Sequence, residues 1–130
     1  MMWVLLGTIL LSPAVLFVLP KSNADRKAEI TITRFWVKNI AGFLIQQAVE
    51  TGSLTHFDKH SIAQSEFGSN NFRPQWTNSL GESIDYWKTS FKIEILARTN
   101  FIIRSAGPNQ KFGDADDIIF NSVSNDFVKP

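Results

Sequence analysis

Hydrophobic and polar positions divide this chain into four stretches with different periods. Met1 to Leu19 carry no charged side chain, and most are Leu, Val, Ile, Met, Phe or Trp. As a helix they would extend ~29 Å, enough to cross a hydrocarbon core. From Asp25 the period becomes helical. Ile30, Ile32, Phe35, Trp36, Ile40, Phe43, Leu44 and Ala48 recur at three- and four-residue steps, with Arg34, Lys38 and Gln46 between them. Asp25 offers a start, Thr51-Gly52-Ser53 a stop, and Gly42 a soft spot inside. Residues 52–82 are rich in Ser, Asn and Gly and read as a long loop, with one turn of helix over 59–65.

Beyond Tyr86 the period drops to two. Phe91, Ile93 and Ile95 alternate with Lys92 and Glu94, Phe101-Ile102-Ile103-Arg104-Ser105 returns as the second strand of a hairpin, and Ile118-Ile119-Phe120 makes a third. The expected fold is α+β: an apolar segment (1–20) followed by one domain (21–130), with an amphipathic helix over 25–51. Phe35, Ile40, Phe43 and Leu44 are expected to pack it on a three-stranded antiparallel sheet of 91–96, 101–105 and 118–121.

Composition narrows the function. Thirteen basic against twelve acidic residues leave a net charge of +1, which gives no pull toward nucleic acid. With no Cys, disulfides, thiolate metal sites and a Cys nucleophile are excluded. His56 and His60 sit at a zinc-compatible spacing without a third ligand nearby, so they read as exposed histidines. No nucleophile–base pair and no phosphate loop is visible, and a non-enzymatic role is expected.

The segment between the last two strands is the richest in chemistry. Ser105-Ala106-Gly107-Pro108-Asn109-Gln110-Lys111-Phe112-Gly113-Asp114-Ala115-Asp116-Asp117-Ile118 turns at Gly107 and Gly113 and sets three carboxylates within four residues. Such crowding repels unless solvent, a cation or backbone N–H groups absorb it. Oxygen-rich turns suit Ca²⁺, which takes roughly six to eight oxygen ligands, although this spacing is not that of an EF-hand. A solvated polar turn is the plain alternative.

Two motifs at fixed separation resemble the major pseudopilins of type II secretion systems, a type IV pilin-like family. Asp85-Tyr86-Trp87-Lys88-Thr89-Ser90-Phe91 is similar to the family's Asp-x-Trp-Gly-x-Pro-Phe/Tyr signature. The segment Ser105 to Ile118 is similar to its closing Ser-x-Gly-x-Asp-Gly…Asp-Ile loop. The likeness extends over residues 25–120 in organisation and 85–118 in letters. Lys88 and Ser90 stand where the family has Gly and Pro, and Asn109-Gln110 stands for Asp-Gly.

The resemblance implies a pilin-like fold and a structural subunit assembling with copies, other pseudopilins or secretion-apparatus proteins. It also implies a structural Ca²⁺, for which Asp114, Asp116, Asp117 and Ser105 are the side-chain candidates, joined by carbonyls of 106–112. Residues 1–20 would anchor the chain in the bacterial inner membrane, with the domain facing the periplasm. The rival is a stand-alone anchored or secreted calcium-stabilised binding module, in which Phe72 and Trp76 of the long loop would form the contact surface.

The front of the chain departs from the family. Aligning Leu19-Pro20 on the end of a pilin membrane helix puts Trp3 near the place of the assembly glutamate, with no basic leader or cleavage glycine. The expectation is either a start upstream or a degenerate relative. Ser22-Asn23-Ala24 would suit a signal peptidase, but Lys21 disfavours that cut, so retention is expected. Lys21, Arg26 and Lys27 oppose a periplasmic domain under the positive-inside rule.

Overall fold

A computed structural model of the chain describes residues 21–64 and 77–130. The expectations for residues 1–20, and for Phe72 and Trp76, lie outside the described residues. Among those described, no helix is long and apolar enough to cross a membrane.

One long helix, α1 (Asn23–Thr51), opens the described chain. It starts two residues before the expected Asp25 because Ser22 caps it. The Ser22 hydroxyl accepts the Asp25 N–H at 3.2 Å, and the Asp25 carboxylate accepts the Ser22 N–H at 3.4 Å. This reciprocal pair satisfies two of the donors a helix start leaves open. At the other end Gly52 takes φ 75° and returns its N–H to the Ala48 carbonyl at 2.9 Å. A short α2 (His60–Gln64) follows, where one turn of helix is expected.

The sheet is a simple antiparallel meander of β1 (Lys92–Ile95), β2 (Phe101–Ser105), β3 (Ile118–Asn121) and β4 (Asp126–Val128). It has four strands rather than the expected three. β4 pairs Phe127 with Phe120 and Val128 with Ile119. Its apolar content is just Phe127 and Val128, too short for an alternation to register. Tertiary contacts hold it instead. The Phe127 ring meets Phe120 edge-on at 5.6 Å between centroids, and the Arg34 guanidinium lies 5.1 Å from the Phe127 centroid.

The helix lies on the sheet by a face that takes in most of the expected residues but not Phe35. The buried line is Glu29, Thr33, Val37, Ile40, Ala41, Leu44 and Ala48. Val37, Ile40 and Leu44 meet Phe101, Ile103 and Phe120 in the core, extended by Leu54, Ile62 and Phe91. Ile40 and Leu44 pack as expected, and Phe43 is half-buried with its ring edge-on to Phe57. Phe35 does not pack on the sheet. It is 60% exposed, because a residue two positions before Val37 points to the opposite side. Ile32, Ile45 and Val49 are exposed too, so α1 carries apolar side chains on both faces and is not a sharply amphipathic helix.

Candidate functional site

The part of the molecule densest in polar chemistry is at one end, where the start of α1, the turn after Ile84 and the loop between β2 and β3 meet. Asp85 is its hub. The backbone folds back so that Asp85 N–H donates to the Thr89 carbonyl at 2.9 Å and Lys88 N–H to the Asp85 carbonyl at 3.0 Å. The carboxylate then accepts the Trp87 and Thr89 N–H groups at 3.0 and 2.9 Å, a side-chain turn of the kind Asp forms readily. Its second oxygen accepts the Ser105 hydroxyl at 2.7 Å, and the Ser105 oxygen accepts the Gly107 N–H at 3.2 Å. Asp85 is 1% exposed. Burial pushes its carboxyl above the usual range, against the opposing pull of the Ser105 hydroxyl and the Thr89 and Trp87 N–H groups.

Two further bonds close the assembly. Trp87 Nε1 donates to Glu29 Oε2 on α1 at 3.1 Å, and the Gln110 amide donates to the Trp87 carbonyl. Glu29, 6% exposed, also pairs with Lys21, whose ammonium lies 5.6 Å from the Tyr86 ring centroid. The hydrogen bond to Glu29 is the main cause holding the Lys21 amine above its ordinary value. A carboxylate on the buried side of an apolar helix is tolerable only when paired in this way. Trp87 therefore bridges turn and helix as a half-buried ring with a bonded edge.

The four expected metal ligands are not brought to one point. The Ser105 hydroxyl belongs to Asp85. Asp114 takes the Asn109 amide, and the Asp116 N–H at 3.1 Å. The Asp116 side chain is exposed, while its carbonyl lies so close over Gly107 (φ 73°) that a Cβ there would clash with it. Asp117 turns inward. One of its oxygens accepts the Gly113 N–H at 2.8 Å and lies 3.7 Å from the Arg104 guanidinium, which supplies part of the missing counter-charge. The other, Oδ1, is buried without a hydrogen-bond partner, as is Arg104 Nε. Among the described residues no group of three or more His, Asp or Glu side chains is arranged to hold a metal. The fit to Ca²⁺ is thus partial. Asp117 Oδ1 is an oxygen still to be satisfied, with Asp114, Asp116 and the turn carbonyls on the same loop.

By sequence, Asp85, Trp87, Ser105, Gln110 and Arg104 fall in motifs or strands, but Gln110 and Arg104 have no expected part in the site, and Glu29 is not named. A lone acid interrupting an apolar helical line was the signal for Glu29. Gln110 and Arg104 carry none, since their partners are 23 and 13 residues away.

Two backbone positions here are strained. Lys88 has φ 69° and Gln110 φ 60°, in the left-handed region where a Cβ crowds the following carbonyl. Replacing Lys88 with glycine should raise stability by roughly 0.5–1 kcal/mol, part of the relief being offset by a looser unfolded chain. Gln110→Gly also loses the amide bond to the Trp87 carbonyl and should gain less. Thermal melts of Lys88→Gly and Gln110→Gly check this, and a loss of stability in both would contradict it.

No family model, curated protein or solved structure matches this chain.

Proposed function

We propose that this chain is a pseudopilin-like structural subunit. Residues 1–20 anchor it in a membrane, its domain faces the periplasm, and it assembles with copies or relatives in a type II secretion or pilus-like apparatus. What supports this reading most is the backbone at Lys88 and Gln110. Both occupy positions that are glycine in the pseudopilin signatures, and both adopt the left-handed conformation that glycine serves. Left-handed residues thus stand at the two positions where the signatures have glycine, although the letters differ. The apolar solvent-facing side of α1, with Ile32, Phe35, Ile45 and Val49, gives such a subunit a surface to pack.

The absence of Cys makes the assembly directly testable with single substitutions. Val49→Cys or Phe35→Cys in the full chain, in its native envelope, should give crosslinked species larger than the monomer with a short bis-maleimide. Val123→Cys, on the turn between β3 and β4, should give far less. Monomer alone at both helix positions would reject assembly through this face and favour the stand-alone module.

In this reading a Ca²⁺ held by Asp117, Asp114 and the carbonyls of the turn would be structural, neutralising the loop and performing no chemistry. Such sites bind at ~10⁻⁴–10⁻³ M outside the cytosol. At a hundredfold excess over Kd the ion would add about 2.7 kcal/mol. Millimolar Ca²⁺ should raise the melting temperature relative to chelator, and Asp117→Ala should remove the difference. An unchanged melt rejects the ion and leaves Arg104 as the loop's counter-charge.

A further inference from the structure

The start of α1 and the turn after Ile84 share a feature that subunit assembly does not use. We propose that this end of the domain rests on an anionic phospholipid surface, with Lys21, Arg26, Lys27 and Lys88 contacting headgroup phosphates. The inference rests on the reading of residues 1–20 as a membrane anchor and adds to it where, and on what chemistry, the domain sits.

The first argument is distance. The uncharged run ends at Pro20, and the N-cap of α1 is Ser22, so no spacer separates the two. Lys21 is the next residue after that run, and Arg26 and Lys27 on the first turn of α1 are no more than about 17 Å along the chain from it, less where the helix leans on the surface. The headgroup layer of one leaflet is roughly 5–7 Å deep. The basic side chains of this first turn are long enough to reach it from there.

The second argument is what the fold adds beside that turn. Trp87 Nε1 on Glu29 and the Lys21 ammonium near the Tyr86 ring fix the 85–88 turn against the first turns of α1. Lys88 is thereby brought from more than sixty positions away to the same end as Lys21, and it is exposed. Tyr86, 37% exposed, and Trp87 are the amphipathic aromatics that concentrate at membrane–water interfaces.

The third argument is sign. Arg26 and Lys27 are exposed and Lys21 keeps 55% of its side chain in solvent. Of the carboxylates on this side, Glu29 is buried against Lys21 and Trp87, while Asp25 is exposed but engaged in the helix cap, which leaves the basic side chains in excess. Asp114 and Asp116 on the adjoining loop have the opposite sign, with Lys111 beside them. The contact is therefore on the side of α1 and the 85–88 turn, not centred on the loop.

The test reconstitutes the full chain in vesicles of phosphatidylcholine, alone or mixed with phosphatidylglycerol, with nitroxide-headgroup lipid as quencher. A fluorophore is placed at Tyr86→Cys or, as the distant control, at Val123→Cys. The label at 86 should be quenched more strongly in the anionic vesicles, and that at 123 should not. Each basic residue near an anionic surface shifts the docked-to-free ratio about fivefold. Arg26→Glu with Lys27→Glu should therefore lose most of the extra quenching, as should ~1 M salt, which shortens the screening length to about 3 Å. Equal quenching at 86 and 123, or quenching at 86 indifferent to lipid charge, overturns the proposal while carbonate-resistant insertion keeps the anchor. Extraction by carbonate overturns the anchor and the docking surface with it.

Discussion

Asp85→Ala is expected to lower the unfolding free energy by about 3 kcal/mol, read from denaturant titration of the full chain in mild detergent. The magnitude follows from what the carboxylate serves. Two backbone N–H groups and the Ser105 hydroxyl converge on it in a site 1% exposed, and alanine leaves all three without their acceptor. A loss below about 1 kcal/mol, the value of one ordinary hydrogen bond, would mean that water fills the gap and that Asp85 is no hub.

Asp85→Asn separates the hydrogen-bonding role from the charge. One amide oxygen can still accept the Trp87 and Thr89 N–H groups, so the substitution should be much milder than alanine. Burial raises the Asp85 carboxyl in the folded state, so its ionisation opposes folding. Its contribution is full below the unfolded carboxylate value and is lost as pH rises through the raised one. Asparagine cannot ionise. The stability of Asp85→Asn relative to the parent should consequently improve from pH 4 toward pH 7. A difference independent of pH would show that the hydrogen bonds cancel the effect of burial.

Much of the fold was legible because local signals and tertiary demands agreed. Gly52 ended the helix as a left-handed cap, and Phe101, Ile103 and Ser105 alternate inward along β2. The strand of Phe127 was not legible. Its stability comes from Phe120 across the hairpin and from Arg34 and Lys38 over its ring, the last two about ninety positions away. The candidate site was read in its parts but not in its joints. Ser105 was visible as a loop residue, yet its hydroxyl answers to Asp85, twenty positions earlier. No spacing rule reports a partner at that separation, and the same holds for Gln110 and Trp87.

The orientation of α1 is the sharpest case, because periodicity alone supports two faces. One line runs through Glu29, Thr33, Val37, Ile40 and Leu44, the other through Ile32, Phe35, Ile45 and Val49. Neither side is apolar throughout, since Lys38, Asn39 and Gln46 share the second and Glu29 and Thr33 the first, and it is the first that is buried. Of the two polar residues near its start, Glu29 is accommodated by its pairing with Lys21 and Trp87, whereas Thr33 Oγ1 is buried with no hydrogen-bond partner among the described residues.

A matched pair of substitutions tests which face holds the fold. Leu44 is 0% exposed among Ile40, Phe101 and Phe120, so Leu44→Ala removes buried methyl groups and leaves a cavity, at a cost of about 3–5 kcal/mol. Phe35 is the larger side chain, but it stands 60% in solvent, its ring edge-on to Trp36 at 5.6 Å. Phe35→Ala should therefore change stability by no more than about 0.5 kcal/mol. If the helix lay on the sheet by the side of Phe35, the two values would be exchanged. Denaturant midpoints of the two variants, measured with the chain dilute enough to remain monomeric, decide the matter. If Phe35→Ala proves neutral in that monomer yet weakens crosslinking through Val49→Cys, the exposed ring acts between subunits, because no packing within the subunit is left to account for it.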